Sequence, residues 1–287
     1  MSIRRAVVTA AAPGQNSLPL QNVVDRDGIN KTALQLILEE IVDAGIDEIC
    51  VVICPGDESN YAAAAGEHVN RITFVEQSNP RGYGDAIFRA RDFIGDESFL
   101  HLVGDHLYLS RTERGCARQL VDVANAESCA VSAVQATRES LLPYFGAISA
   151  KRISGRQDLY DITNVIEKPT PTQAEQELIV AGLRSSHYLC LFGMHVLTPG
   201  ILPDLERALS LTPPELPVLL SPALASMATR ERYLALQIEG SRYNIGVKYG
   251  LLMAQLAVAL SGKDREQILT EILELVATAN TNLEAVQ

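Results

Sequence analysis

The segment 47–55, DEICVVICP, is apolar at almost every position between an aspartate and a proline. A strand with one wet face alternates polar and apolar residues. A strand that is apolar throughout must be covered on both faces, as in a parallel sheet flanked by helices. This run therefore commits the chain to an α/β arrangement, and its neighbours agree. Before it, RRAVVTA (residues 4–10) is β-branched and ends in the small-residue, Pro and Gly segment AAPGQNSLP, which cannot continue a strand. Between the two runs, Leu34, Ile37, Leu38, Ile41 and Val42 recur at helical spacing, with Asn30 as the expected cap and Gly45 as the stop. The unit is strand, helix, strand.

The alternation continues with helices over YAAAAGEHV, GDAIFRARDFIG and GCARQLVDVANAES, and strands over RITFVEQ, SFLHLVGD and CAVSAVQA. Regular alternation of this kind implies a doubly wound sheet with parallel strands and right-handed crossovers. Beyond about residue 140 the pattern changes to short strand-like pieces separated by polar turns, YFGAISAKRISGRQDLYDITNVIEKP, which reads as an antiparallel insertion. A Pro-rich stretch, the strand RYLALQIEG and two apolar-periodic helices complete the chain. Ile268, Leu269, Ile272, Leu273 and Val276 of the last helix either pack internally or form a subunit contact.

Composition excludes several classes of function. Lys and Arg number 24 against 35 Asp and Glu, a formal charge of −11, so the basic footprint of a nucleic-acid binder is missing. The longest apolar runs fall short of the ~20 residues a membrane helix needs, and the amino-terminal stretch lacks a signal-peptide apolar region. A cytoplasmic protein is expected. Five cysteines, an odd number, fit a reducing compartment. Cys50 and Cys54 share a face of one strand, but no second Cys/His pair at zinc-ligand spacing accompanies them, which favours core packing.

In an open α/β sheet, ligands bind beyond the carboxyl ends of the strands. Four such ends are informative. After the first strand, TAAAPGQNSLP has small residues that let backbone N–H groups approach a phosphate, although an ordinary tight turn looks the same. In VEQSNPRGYGDA, Gly82 and Gly84 flank Tyr83 and leave bare backbone for a planar base. In LVGDHLY, Asp105 stands where a hard carboxylate can hold Mg2+ beside a polyphosphate; a turn aspartate is the alternative. In VIEKP, Glu167 can accept from sugar hydroxyls and Lys168 can meet a phosphate, unless the two form a surface pair.

Taken in order, VEQSNPRGYGDAIFRARDFIGDESF, LVGDH, YFGAI, VIEKPTPTQAE, GMHVLTP and EGSRYNIGVKYGLLMAQLAVAL resemble the bacterial UTP–glucose-1-phosphate uridylyltransferases. These are the UDP-glucose pyrophosphorylases of the wider sugar nucleotidyltransferase family. The resemblance implies an α/β, Rossmann-like doubly wound mixed sheet with an inserted sugar-binding part. It also implies a single domain: residues 1–140 mainly for the nucleotide, 141–245 mainly for the sugar, and 246–287 as carboxyl-terminal helices. Ala11, Ala12 and Gly14 would line the nucleotide, and Gln77 and Gly82 would contact the uracil. Gly146, Glu167 and Lys168 would hold glucose 1-phosphate, with Lys168 on its phosphate, and Asp105 would ligate Mg2+ with Asn244 in the second metal position. Asp105 and Lys168 would be catalytic. The expected partners are UTP and a sugar 1-phosphate, with neither nucleic acid nor membrane, in a homo-oligomer.

Three departures stand out. The family's first loop ends in a phosphate-gripping arginine, where this chain has Ala11-Ala12-Pro13-Gly14-Gln15-Asn16. Val23 stands near the place of a phosphate-contacting lysine, with Arg26 or Lys31 as candidate replacements, and Lys31 also fits a lysine near the helix start. The family's second metal carboxylate is here the amide of Asn244, within Tyr243-Asn244-Ile245-Gly246-Val247. Two functions follow: a divergent nucleotidyltransferase, favoured because Asp105, Glu167, Lys168 and Lys248 persist, or a non-catalytic relative that binds a nucleotide or sugar phosphate and acts through a partner.

Overall fold

The computed structural model describes residues 1–284, with side chains as far as Thr278. Its strands are β1 (Arg5–Thr9), β2 (Asn22–Val24), β3 (Asn30–Thr32), β4 (Glu48–Ile53), β5 (Ile72–Glu76), β6 (Phe99–Val103) and β7 (His106–Ser110), then β8 (Ala130–Arg138), β9 (Ala147–Arg152), β10 (Leu159–Ile166), β11 (His187–Leu197), β12 (Tyr233–Gln237) and β13 (Gly240–Asn244). The helices are α1 (Ala33–Asp43), α2 (Glu58–Ala65), α3 (Tyr83–Arg89), α4 (Arg91–Ile94) and α5 (Cys116–Glu127), then α6 (Pro171–Glu177), α7 (Ile201–Leu211), α8 (Ser221–Arg230), α9 (Gly250–Leu260) and α10 (Arg265–Glu284).

Nine strands form one sheet in the order β5-β4-β1-β6-β11-β8-β12-β10-β9. The first four run parallel, as the continuous apolar strand demanded. Along β4, Ile49, Val51 and Ile53 enter one core with Leu34, Ile37 and Ile41 of α1, while Cys50 and Val52 enter a second core with Ala86 and Ile87 of α3. Every residue from Ile49 to Ile53 is thus buried because both faces of the sheet are covered. The core role expected of Cys50 holds, whereas Cys54 lies past the strand, half-buried, with its thiol against the carbonyl of Ala11.

The sheet is mixed, and this corrects the wholly parallel reading of the first half. β11 arrives from beyond residue 186 and inserts antiparallel between β6 and β8, so two strands consecutive in the alternation are not neighbours. The antiparallel pair β9–β10 extends the far edge of the same sheet. Locally, Asn30 belongs to β3, and α1 is capped instead by Thr32, whose hydroxyl accepts from the Gln35 N–H while the Gln35 side chain accepts from the Thr32 N–H. The helix expected over 84–95 breaks at Ala90 into α3 and α4. On α10, Leu269, Leu273 and Val276 are 41%, 61% and 52% exposed, so that face does not pack internally.

Candidate active site

The parallel strands all end on one side of the sheet, over a cavity of about 540 Å³. Beyond β1, Ala11 and Ala12 form part of its wall; beyond β5 comes Gln77, and beyond β6 comes Asp105. Gly146, Glu167, Lys168 and Asn244 line the same cavity although they come from distant parts of the chain, and Gly82 lines it too. Gly14 does not: it sits exposed at the tip of the first loop with φ +72°. That loop is pinned from below, since Tyr61 Oη donates to the carbonyls of Ala10 (3.3 Å) and Asn16 (2.6 Å), and Asn16 Nδ2 donates to Asp57 at 2.7 Å.

Close packing explains several glycines here. A Cβ on Gly104 would stand 3.0 Å from the Thr9 carbonyl, so glycine lets the end of β6 approach the end of β1. Gly82 has φ +94°, and its Cβ would meet Pro217 at 2.9 Å and the Val218 carbonyl at 3.0 Å. A Cβ on Gly84 would meet Leu205, Leu219 and Val218. The Pro-rich stretch packed against them therefore constrains both glycines, Gly82 also through its positive φ, while Gly82 remains part of the cavity wall.

Asp105 and Asn244 are brought together by the antiparallel ribbon of β7 and β13. Asn244 pairs across it with His106, and the Ile245 N–H donates to the Asp105 carbonyl at 2.8 Å. His106 Nδ1 lies 2.7 Å from Asp105 Oδ1 and must donate there, since an ionised carboxylate only accepts. Burial pushes the Asp105 carboxyl up, but the His106 hydrogen bond and charge outweigh it and hold the group below its ordinary range. Asn244 Oδ1 accepts from the Gly246 N–H at 2.8 Å, closing the turn after β13.

On the opposite half of the chain, Ser221 Oγ donates to Glu167 Oε2 at 2.5 Å. Gly146 packs tightly beside them, since a Cβ there would stand 3.0 Å from Ser221 Oγ and 3.2 Å from Glu167 Oε2 and would have to displace one of the two side chains. Lys168 has φ +44°, a left-handed conformation that non-glycine residues adopt rarely and that recurs at functional sites. Phe145, also in the cavity wall, is backed by the Arg242 guanidinium, 3.8 Å above its ring centre.

Beneath the cavity lies a buried polar layer. His101 Nε2 is 3.2 Å from Thr9 Oγ1 and its Nδ1 is 3.1 Å from Tyr83 Oη, while Ser132 Oγ bonds both His195 Nδ1 and Tyr233 Oη. Burial holds His195 down to about 3, and burial together with neighbouring His195 keeps His101 well below the ordinary imidazole range, so both rings are neutral.

Lys168 is the one lysine or arginine among the described residues lining the cavity. Val23 is buried in the core at 1% exposure. Lys31 is bound by Asp25 at 2.9 Å and Glu39 at 2.7 Å, and Lys31 and Arg26 line a separate cleft, so neither replaces the missing phosphate cation. Lys248 is exposed beside the Tyr249 ring. Ser221, Asp85 and His195 were not found from the sequence. His106, adjacent to Asp105, carried a signal in its position; Ser221 carried none, because it meets Glu167 only through the folding of α8 against β10.

A mixed sheet with ligand-sized space at the ends of its parallel strands, walled by two carboxylates and a lysine, defines an open α/β ligand-binding protein. The chain belongs to the nucleotidyl transferase family, whose sequence model matches residues 27–218. That span begins after the divergent first loop and ends before Asn244. The chain is 27% identical over 298 residues to the UTP–glucose-1-phosphate uridylyltransferase of Bacillus subtilis, covering 95% of this chain and 96% of that one. It is 26% identical to the protein of the same name from Streptococcus pneumoniae, covering 90% and 91%. The fold matches UDP-glucose pyrophosphorylase complexed with UDP-glucose at a TM-score of 0.72 and 22% identity, covering 89% of this chain and 98% of that one. It matches UTP-bound UGPase from Acinetobacter baumannii at 0.71 and 22%, covering 95% and 99%.

Proposed function

We propose that this chain transfers a uridylyl group from UTP to glucose 1-phosphate, giving UDP-glucose and pyrophosphate. The observation that carries the reading is that Ala11, Gln77, Asp105, Glu167, Lys168 and Asn244, from both halves of the chain, line one cavity. Residues 1–140 supply mainly the nucleotide side and 141–245 mainly the sugar side. Gln77 and Gly82 meet the base, Ala11 and Ala12 line the nucleotide, and Gly146 and Glu167 hold the sugar. Lys168 takes the phosphate of glucose 1-phosphate and orients one of its oxygens toward the α-phosphorus. That oxygen is already anionic, so no general base is required; catalysis is positioning and charge neutralisation.

The oxygen donors Asp105 and Asn244 fit a hard cation such as Mg2+, which commonly takes one or two carboxylates and completes its shell with water and substrate phosphates. Bound there, Mg2+ would offset charge on the polyphosphate. We place the protein in the cytoplasm, in keeping with its five unpaired cysteines, and as a homo-oligomer. No helix among the described residues is long and apolar enough to cross a membrane.

A second reading is favoured by one observation, that Lys168 is the single lysine or arginine among the described residues lining the cavity: a catalytically impaired relative that binds a nucleotide or sugar phosphate and acts through a partner. The deciding experiment is pyrophosphate release by the purified chain with UTP, glucose 1-phosphate and Mg2+. Release that needs all three supports the enzyme, whereas binding without release supports the alternative.

A further inference from the structure

Gln77 is only 2% exposed, yet it contributes to the cavity wall. Its amide nitrogen carries two hydrogens, and the fold uses both: Nε2 donates to Asp85 Oδ2 at 2.6 Å and to the Gly82 carbonyl at 3.3 Å. Asp85 is fully buried. Its Oδ1 accepts from Arg89 Nε at 3.0 Å and forms an ion pair with Arg89 Nη2 at 2.9 Å, and its Oδ2 also accepts from the Arg81 N–H at 3.3 Å. A carboxylate held by a guanidinium has only acceptors to offer, so it admits the Gln77 amide nitrogen-first. The reverse orientation would set Oε1 against both Asp85 Oδ2 and the Gly82 carbonyl. Oε1, with no protein hydrogen bond among the described residues, is the end of the amide left for the cavity.

We propose that Asp85 is a positioning residue that selects the nucleobase. By fixing Gln77, it presents a lone carbonyl acceptor, which takes a pyrimidine bearing an N–H at ring position 3 and rejects one with a lone pair there. Uracil and thymine have that N–H; cytosine has the lone pair. The inference rests on the proposed reading that Gln77 meets the base. It assigns the choice of base to a residue that does not itself line the cavity.

Calorimetric titration of the full chain with UTP and CTP, each with Mg2+, tests it in three proteins: wild type, Asp85→Asn and Gln77→Ala. Asparagine is near-isosteric and offers both a donor and an acceptor, so the shorter of the two contacts that hold Gln77 nitrogen-first no longer selects its orientation, and only the 3.3 Å contact to the Gly82 carbonyl still does. The wild type is expected to favour UTP by about tenfold or more, and Asp85→Asn to narrow that ratio by roughly fivefold or more. A merely structural residue would weaken both ligands equally. An unchanged ratio in Asp85→Asn, with UTP binding weakened by Gln77→Ala, overturns the role of Asp85 alone. Unchanged UTP binding in Gln77→Ala places the base elsewhere and overturns the underlying reading as well. If Asp85→Asn does not fold, Asp85→Ser, whose hydroxyl can either donate to or accept from the Gln77 amide, takes its place. A narrowed UTP-to-CTP ratio in it supports the proposal, and an unchanged ratio overturns the role of Asp85.

Discussion

Ser221 and Glu167, 54 residues apart in the chain, meet through a hydrogen bond from the serine hydroxyl to Oε2 of the carboxylate. Ser221 is 2% exposed and opens α8, whereas Glu167 follows β10, so the packing of α8 on the sheet sets the direction of a carboxylate that also lines the cavity. If Glu167 binds sugar hydroxyls, Ser221→Ala should raise the KM for glucose 1-phosphate about fivefold, from the roughly 1 kcal/mol of one hydrogen bond, and leave the KM for UTP nearly unchanged. Ser221→Thr, which keeps the hydroxyl, should recover most of the loss. Steady-state kinetics with each substrate varied in turn makes the comparison.

Lys168→Ala should weaken glucose 1-phosphate more than UTP, because the reading puts its ammonium on the sugar phosphate. Losing a charge-assisted contact costs about 2 kcal/mol, or roughly thirtyfold in affinity. Equal losses for the two ligands, measured by calorimetry, would remove this residue from the sugar-phosphate site.

Asp105→Ala should lower metal-dependent turnover on the order of 100-fold while leaving the fold intact, as far-ultraviolet circular dichroism would show. Asn244→Asp adds a second carboxylate beside Asp105 and should lower the Mg2+ concentration needed for half-maximal pyrophosphate release. Without metal, the same substitution should change stability little apart from repulsion with Asp105. Identical Mg2+ dependence in Asn244→Asp and the wild type would remove Asn244 from the metal position.

Glu40 titrates far from the cavity and governs a stability difference. Its Oε1 accepts from the Ala117 N–H at 2.6 Å, in the first turn of α5, and burial pushes the carboxyl up to about 7 despite that bond. An acid whose folded pKa lies above its unfolded value holds more protons when folded, so stability falls as pH rises between about 4.5 and 7. Glu40→Gln keeps an acceptor for Ala117 and should remove this decline. Urea unfolding should find the variant more stable than wild type at pH 8 by about 3 kcal/mol, and little different at pH 4.

What the sequence determined by itself was local. The apolar run of β4 demanded cover on both faces, the spacing of Leu34, Ile37 and Ile41 made α1, and runs of either period placed most of the elements to within a few residues. The collinear motifs also marked Gln77, Asp105, Gly146, Glu167, Lys168 and Asn244, all of which line one cavity. Only the tertiary structure decided which strands are neighbours, because β11 pairs with β6 through hydrogen bonds that join residues 99–102 to 194–197, and nothing in either segment encodes the other's register. It likewise decided that Gly82 answers to Pro217, that Lys31 is held by Asp25 and Glu39, and that Asp85 turns Gln77. Periodicity and propensity act over a few residues and leave a trace in sequence. A side chain's hydrogen-bond partner depends on which surfaces meet when distant elements pack, and that is settled only once the sheet has closed its order.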